Sequence, residues 1–209
     1  MRSQDINKSR LSAPSSISHQ LVFAAFALPS GALSASFPWE TTGIFIAPLQ
    51  PLAPPLYFTA ALCLGLHHER STKASEAAII LLGLSATWII AYHAAYFCHL
   101  FLVTPNDWIP SQLRPQADFV KAYYLVIIGI IAGAIGSLGT SATIASIRPE
   151  TRNTNFFART TVIGSVAGSL LAIPDHHLFV AHLALYLVWQ PAVSWSIAKE
   201  LTERPRSIE

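Results

Sequence analysis

Glu40 is the residue of this chain best placed to do chemistry. It lies between Leu33 and Pro48, at the boundary of two long apolar stretches, in a chain of which only 11% is charged. A carboxyl group held away from bulk water favours its neutral form and can donate a proton near neutral pH, as a general acid must. The competing reading is a solvated loop glutamate following Pro38. A second acid, Asp175, stands between Pro174 and the pair His176 and His177. An acid beside two imidazoles can relay a proton or bind a metal, and it can equally be a polar turn at a membrane surface.

The remaining histidines form no chelating pattern. His93 and His99 are six residues apart, about 600° around a helix, and so project from different faces. A haem held between His93 and His182 is geometrically conceivable, but no di-iron histidine box accompanies it and the sequence calls for neither metal nor cofactor. Cys63 and Cys98 lie inside apolar runs without metal or redox spacing and read as packed thiols. Trp88, Tyr92 and Tyr96 recur every four residues. They therefore share one helix face and can either pack against a neighbouring helix or wall a cavity whose π faces stabilise a cation.

The elements that must position these residues are membrane helices. With 52% hydrophobic residues and a mean hydropathy of +0.45 over 209 residues, the chain is too apolar for an ordinary soluble domain and too short for two domains. The expected fold is all-α, a polytopic bundle of about six transmembrane helices. Residues 1–19 read as a disordered cytosolic lead, 20–198 as a multi-span membrane domain and 199–209 as a polar cytosolic tail. The spans are expected over Gln20–Ala35, Gly43–Leu66, Ala77–Val103, Ala122–Ile147, Thr160–Ile173 and Leu178–Ala198. The first is weak, being short and interrupted by Pro29 and Gly31, and a cleaved signal peptide is its rival reading. Gly129, Gly133, Gly136 and Gly139, with Gly164 and Gly168 in the next span, predict close helix packing.

Charge supports this layout. With both termini cytosolic, the inner side collects Arg2, Lys8, Arg10, Arg70, Lys73, Arg148, Arg152, Arg159, Lys199, Arg204 and Arg206, leaving Arg114 and Lys121 outside. The basic residues form no continuous face, so no nucleic-acid partner is expected. Glu40 and Asp175 fall together on the non-cytosolic side.

The run through Phe37, Pro38, Trp39 and Glu40, with an apolar stretch ending at Pro48, resembles the signature of a known family. This is the fungal integral-membrane terpene cyclases of meroterpenoid and indole-diterpenoid biosynthesis, the paxilline and pyripyropene type. Gly136 to Leu138, then Arg148, Thr151, Arg152 and Arg159, look like that family's small-residue helix and basic loop, and Pro174-Asp175 resembles its step before the last span. The departures are equally specific. The chain offers one span fewer than is usual there, Ser36 stands where the signature has asparagine, and Gln190, before Pro191, stands where an aspartate is expected.

The resemblance implies a cyclase that protonates the terminal epoxide of a prenyl chain and builds fused rings through a carbocation cascade. It implies Glu40 as the acid and Asp175 as the supporting acid or final proton acceptor. Trp39, Gln190, Trp88, Tyr92 and Tyr96 would hold a hydrophobic prenylated substrate. Membrane lipids and other enzymes of its pathway would be its partners, and the endoplasmic reticulum its membrane. Two further readings stay open: a non-catalytic membrane scaffold, suggested by the loss of the last-helix acid, and a small transporter, suggested by the prolines around Pro48, Pro51, Pro54 and Pro55.

Overall fold

The computed structural model describes residues 16–36, 53–69, 71–102, 114–172 and 178–203. These form six α-helices: α1 (Ser16–Ala35), α2 (Ala53–Glu69), α3 (Ala74–Leu102), α4 (Arg114–Ile147), α5 (Thr154–Gly168) and α6 (Leu178–Glu203). Short 3-10 turns cover Pro149–Thr151 and Ser169–Ala172. Among the described residues there is no strand, and three stretches are long and apolar enough to cross a membrane: Ile17–Ala35, Ala74–His99 and Ala122–Ile147.

Local chemistry sets several helix starts. Pro54 and Pro55 in α2 and Pro115 in α4 stand in the first turn, where a missing N–H costs nothing. Glu76 reaches back to the N–H of Lys73 at the start of α3, at 3.2 Å. The Asn153 side chain accepts from the Phe156 N–H at 2.8 Å and caps α5. Each helix runs past at least one of its expected bounds, α2 by ending at Glu69, α3 by starting at Ala74 and α5 by starting at Thr154. α4 starts at Arg114, eight residues before the apolar run, because Pro115 begins a helix as readily as any residue. α1 takes in Ser16–His19 from the polar lead, and α6 continues to Glu203, where Leu201 is buried and Glu200 is ion-paired.

Each helix packs against its neighbours in sequence, and α6 packs along α1, closing the six into a ring. Adjacent helices run antiparallel: Gly83 lies by Thr143 and Gly139 by Thr87 across α3 and α4, and Arg159 bonds Ser196 across α5 and α6. The ring interior is filled by Phe23, Phe58, Leu62, Ile80, Leu84, Ile144, Phe156, Trp189, Val193 and Ile197. Leu82, Ile90, Phe101, Val162 and Val166 point outward, each at least 60% exposed. An apolar outer surface of this kind suits hydrocarbon, not water. The α4–α5 contact is made backbone to backbone, since a Cβ at Gly129 or Gly133 would run into the carbonyl of Gly168 or Gly164. Four buried hydroxyls, those of Thr140, Ser141, Thr143 and Thr160, donate within their own helices to carbonyls four residues back at 2.7–2.8 Å.

α1 packs along α6 and against α2. Gly31, which with Pro29 weakens it as an isolated span, lies at its joint with α6: a Cβ on Gly31 would stand 2.6 Å from the Tyr186 carbonyl oxygen. Phe23 and Ala27 enter the core.

The two ends of the bundle differ. One gathers the start of α1, the end of α2 and the loop between α4 and α5, together with the C-terminus of α6. There Arg148 clamps Glu76 with two bonds, at 2.7 and 3.2 Å, while Arg159 and Asn153 converge on Glu200. Arg152 Nε donates to the Ala145 carbonyl at 2.9 Å. Arg148, Arg152, Arg159 and Lys199 thus share the end that the charge distribution assigns to one side of the membrane, while Arg114 and Lys121 belong to the opening turns of α4 at the other.

Candidate functional site

The end away from this basic cluster holds a cavity of about 350 Å³ between α3, α4 and α6. The four-residue spacing of Trp88, Tyr92 and Tyr96 puts all three on its wall, with His99 one turn further along the same face. α4 supplies the facing wall from Leu125, Ile128 and a run of small residues, Gly129, Ala132, Gly133 and Gly136. α6 contributes Leu185, Tyr186 and Trp189. The lining is therefore aromatic on two sides and small on the third, which leaves room where a branched α4 would fill it.

An aromatic cluster forms the floor. Trp88 stacks on Tyr186, with ring centroids 5.6 Å apart and planes at 27°, and meets Trp189 edge-on at 5.6 Å. Phe58 from α2 closes on Trp189 at 5.2 Å. Trp189 is fixed in turn by its indole N–H, which donates to the fully buried Ser137 hydroxyl of α4 at 2.9 Å. Such offset and edge-on rings present both faces and edges to the space above them. From Trp88 to His99 the helix rises about 16 Å. Tyr92 and Tyr96 are 37% and 50% exposed, so the wall they form is open to the outside of the bundle.

The residues singled out in the sequence divide into three groups. Trp88, Tyr92 and Tyr96 come together on the cavity wall. Gln190 does not join them. One residue along from Trp189, about 100° around α6, it is fully buried against α1, where its carbonyl oxygen accepts from Ser30 Oγ at 2.6 Å and its amide donates to Ser34 Oγ at 3.0 Å. Trp39, Glu40, Pro48, Asp175, His176 and His177 lie outside the described residues. The helix ends that lead into those segments, Ala35 and Ala53 on one side and Ala172 and Leu178 on the other, are all at the cavity end of the bundle.

Sequence reasoning missed the α6 contribution. Tyr186 and Trp189 are three apart and share a face, a signal present but ambiguous until α6 is known to close the ring against α1. His93 and His99 diverge as their spacing requires: His93 is exposed and bonds the Ile89 carbonyl at 2.8 Å, whereas His99 faces the cavity. Among the described residues no group of three or more His, Cys, Asp or Glu is arranged to hold a metal ion. No protein-family model matches the chain, and neither a curated protein nor a solved structure matches it.

Proposed function

We propose that this protein is an integral-membrane terpene cyclase that converts an epoxidised prenyl chain into fused rings. One observation carries the reading: an apolar cavity of about 350 Å³, walled by Trp88, Tyr92, Tyr96, Tyr186 and Trp189, lies in a helical bundle of which three helices are long and apolar enough to cross a membrane. A prenyl chain partitions into such a space from the bilayer. Its carbocations would be shielded from water there and stabilised by the aromatic faces, each worth about 0.5–2 kcal/mol once desolvated.

In this account Glu40 protonates the epoxide oxygen. The C–O bond breaks, the oxygen leaves as a hydroxyl, and the tertiary cation is attacked in turn by the double bonds of the chain. Loss of one proton at the end balances the one added, so the reaction is an isomerisation. Trp39 would border the acid, and Asp175 would support it. The membrane is the endoplasmic reticulum, with both termini cytosolic and the basic end of the bundle on the cytosolic face. Fungal meroterpenoid or indole-diterpenoid biosynthesis is the setting that the Trp39-Glu40 resemblance suggests.

Glu40→Gln in isolated membranes tests the assignment. Product formation from an epoxidised prenyl substrate should disappear while protein level is unchanged, and retained turnover would remove Glu40 from the role of acid.

One observation favours a second reading. Gln190, at the position where the resemblance expects an acid, commits its amide to Ser30 and Ser34. A chain that has lost that acid could serve its pathway as a non-catalytic scaffold. Deleting the scaffold would slow the pathway without building up any one epoxide, whereas deleting a cyclase would leave its epoxide substrate to accumulate.

A further inference from the structure

We infer that His99 is the base that ends the cascade, an inference that rests on the cyclase reading above. A cyclisation that terminates in an alkene must lose a proton from a carbon beside the last cation. In a cavity lined by hydrocarbon and aromatic surface, a base positioned on the wall takes the proton faster than the little water that enters. Among the described lining residues, His99 is the only one that carries a basic nitrogen, the imidazole. The others are aliphatic, glycine, indole or phenol, and a neutral phenol is a far weaker base than imidazole.

Its placement is specific. An ionisable side chain in a membrane helix costs about 2.5–3.5 kcal/mol at the bilayer centre and less toward the ends, and it is kept where it faces a cavity or a partner. Two histidines of α3 show the contrast. His93 points outward and bonds its own helix at Ile89, while His99 continues the face of Trp88, Tyr92 and Tyr96 into the last turns of the helix. It therefore stands at the cavity end of the bundle, where a proton taken from substrate can pass to solvent before the next turnover. In the step itself, the unprotonated imidazole nitrogen takes the proton, the C–H electron pair becomes the new double bond, and the imidazole becomes imidazolium.

The experiment compares wild type, His99→Gln and His99→Ala in membranes supplied with the epoxidised prenyl substrate, scoring substrate consumed and each product by mass. Glutamine keeps hydrogen-bonding capacity at this site without basicity. Both variants should still consume substrate while the alkene product falls by about a hundredfold or more, giving way to alcohols from water capture or to chains arrested at an earlier ring. Added imidazole should restore the alkene in His99→Ala, a response that a packing role would not give. Alkene formed at the wild-type rate by either variant overturns the inference, as does loss of substrate consumption in both at normal protein level, which would place His99 before the cation forms. Wild-type membranes that convert no epoxide at all would instead overturn the cyclase reading itself.

Discussion

Replacing Gln190 separates a helix joint from a catalytic residue. The side chain is fully buried and holds two hydrogen bonds across the α1–α6 interface, one from Ser30 and one to Ser34. Ser34 also donates to the Ser30 carbonyl at 2.8 Å, so it keeps a partner when Gln190 is removed. Interhelical hydrogen bonds in membrane proteins average about 0.6 kcal/mol with a maximum near 1.7, so the pair is worth about 1–2 kcal/mol. Gln190→Leu, which conserves volume, should lose only that amount. Gln190→Ala also leaves a cavity, adding about 1–2 kcal/mol, for a total of about 2–4. Reversible unfolding in mixed micelles would measure both, and a double-mutant cycle of Gln190→Leu with Ser30→Ala should return a coupling of about 0.6–1.7 kcal/mol. Turnover per folded molecule should be unchanged in Gln190→Leu. A variant as stable as wild type but inactive would refute this reasoning and return Gln190 to the substrate site.

Other perturbations follow from the same geometry. Gly133→Leu should break the α4–α5 contact, because its side chain would collide with the Gly164 carbonyl, and should remove most monodisperse protein from detergent extracts. Arg148→Ala leaves the mostly buried Glu76 without its bidentate partner, and a cost of about 3 kcal/mol should appear as a lowered Tm in detergent. Tyr92→Leu and Tyr96→Leu should each weaken binding of a prenyl amine cation by about two- to fivefold while sparing the isosteric neutral hydrocarbon, as read from quenching of tryptophan fluorescence.

Much of the architecture is legible because its signals are local. Apolar run length locates the helices, and the glycines at four-residue spacing announce the α4–α5 contact that the backbone then makes. The aromatic period of α3 likewise identifies three residues of the cavity wall. What is not legible depends on rotation about a helix axis and on which helices meet. Gln190 and Trp189 are neighbours in sequence, yet one faces α1 and the other the cavity. Tyr186 and Trp189 become cavity residues only because α6 closes the ring against α1 and reaches Ser137, Trp88 and Phe58. α1 looks weak as a span because Pro29, Gly31, Ser30 and Ser34 lower its hydropathy, and Gly31, Ser30 and Ser34 lie at its joint with α6. Arg148 and Arg159 read as loop charges from the sequence and are instead committed to Glu76 and Glu200.

The most direct test fills the cavity while leaving the acid in place. Ala132 lines the cavity on the small-residue wall of α4, and the ring of Ala132→Phe would fill part of its space of about 350 Å³. Membranes carrying the wild-type protein should convert an epoxidised prenyl substrate to a cyclic isomer of unchanged mass, and Ala132→Phe, folded and at equal level, should not. Equal conversion by the two proteins would show that cyclisation does not take place between α3, α4 and α6.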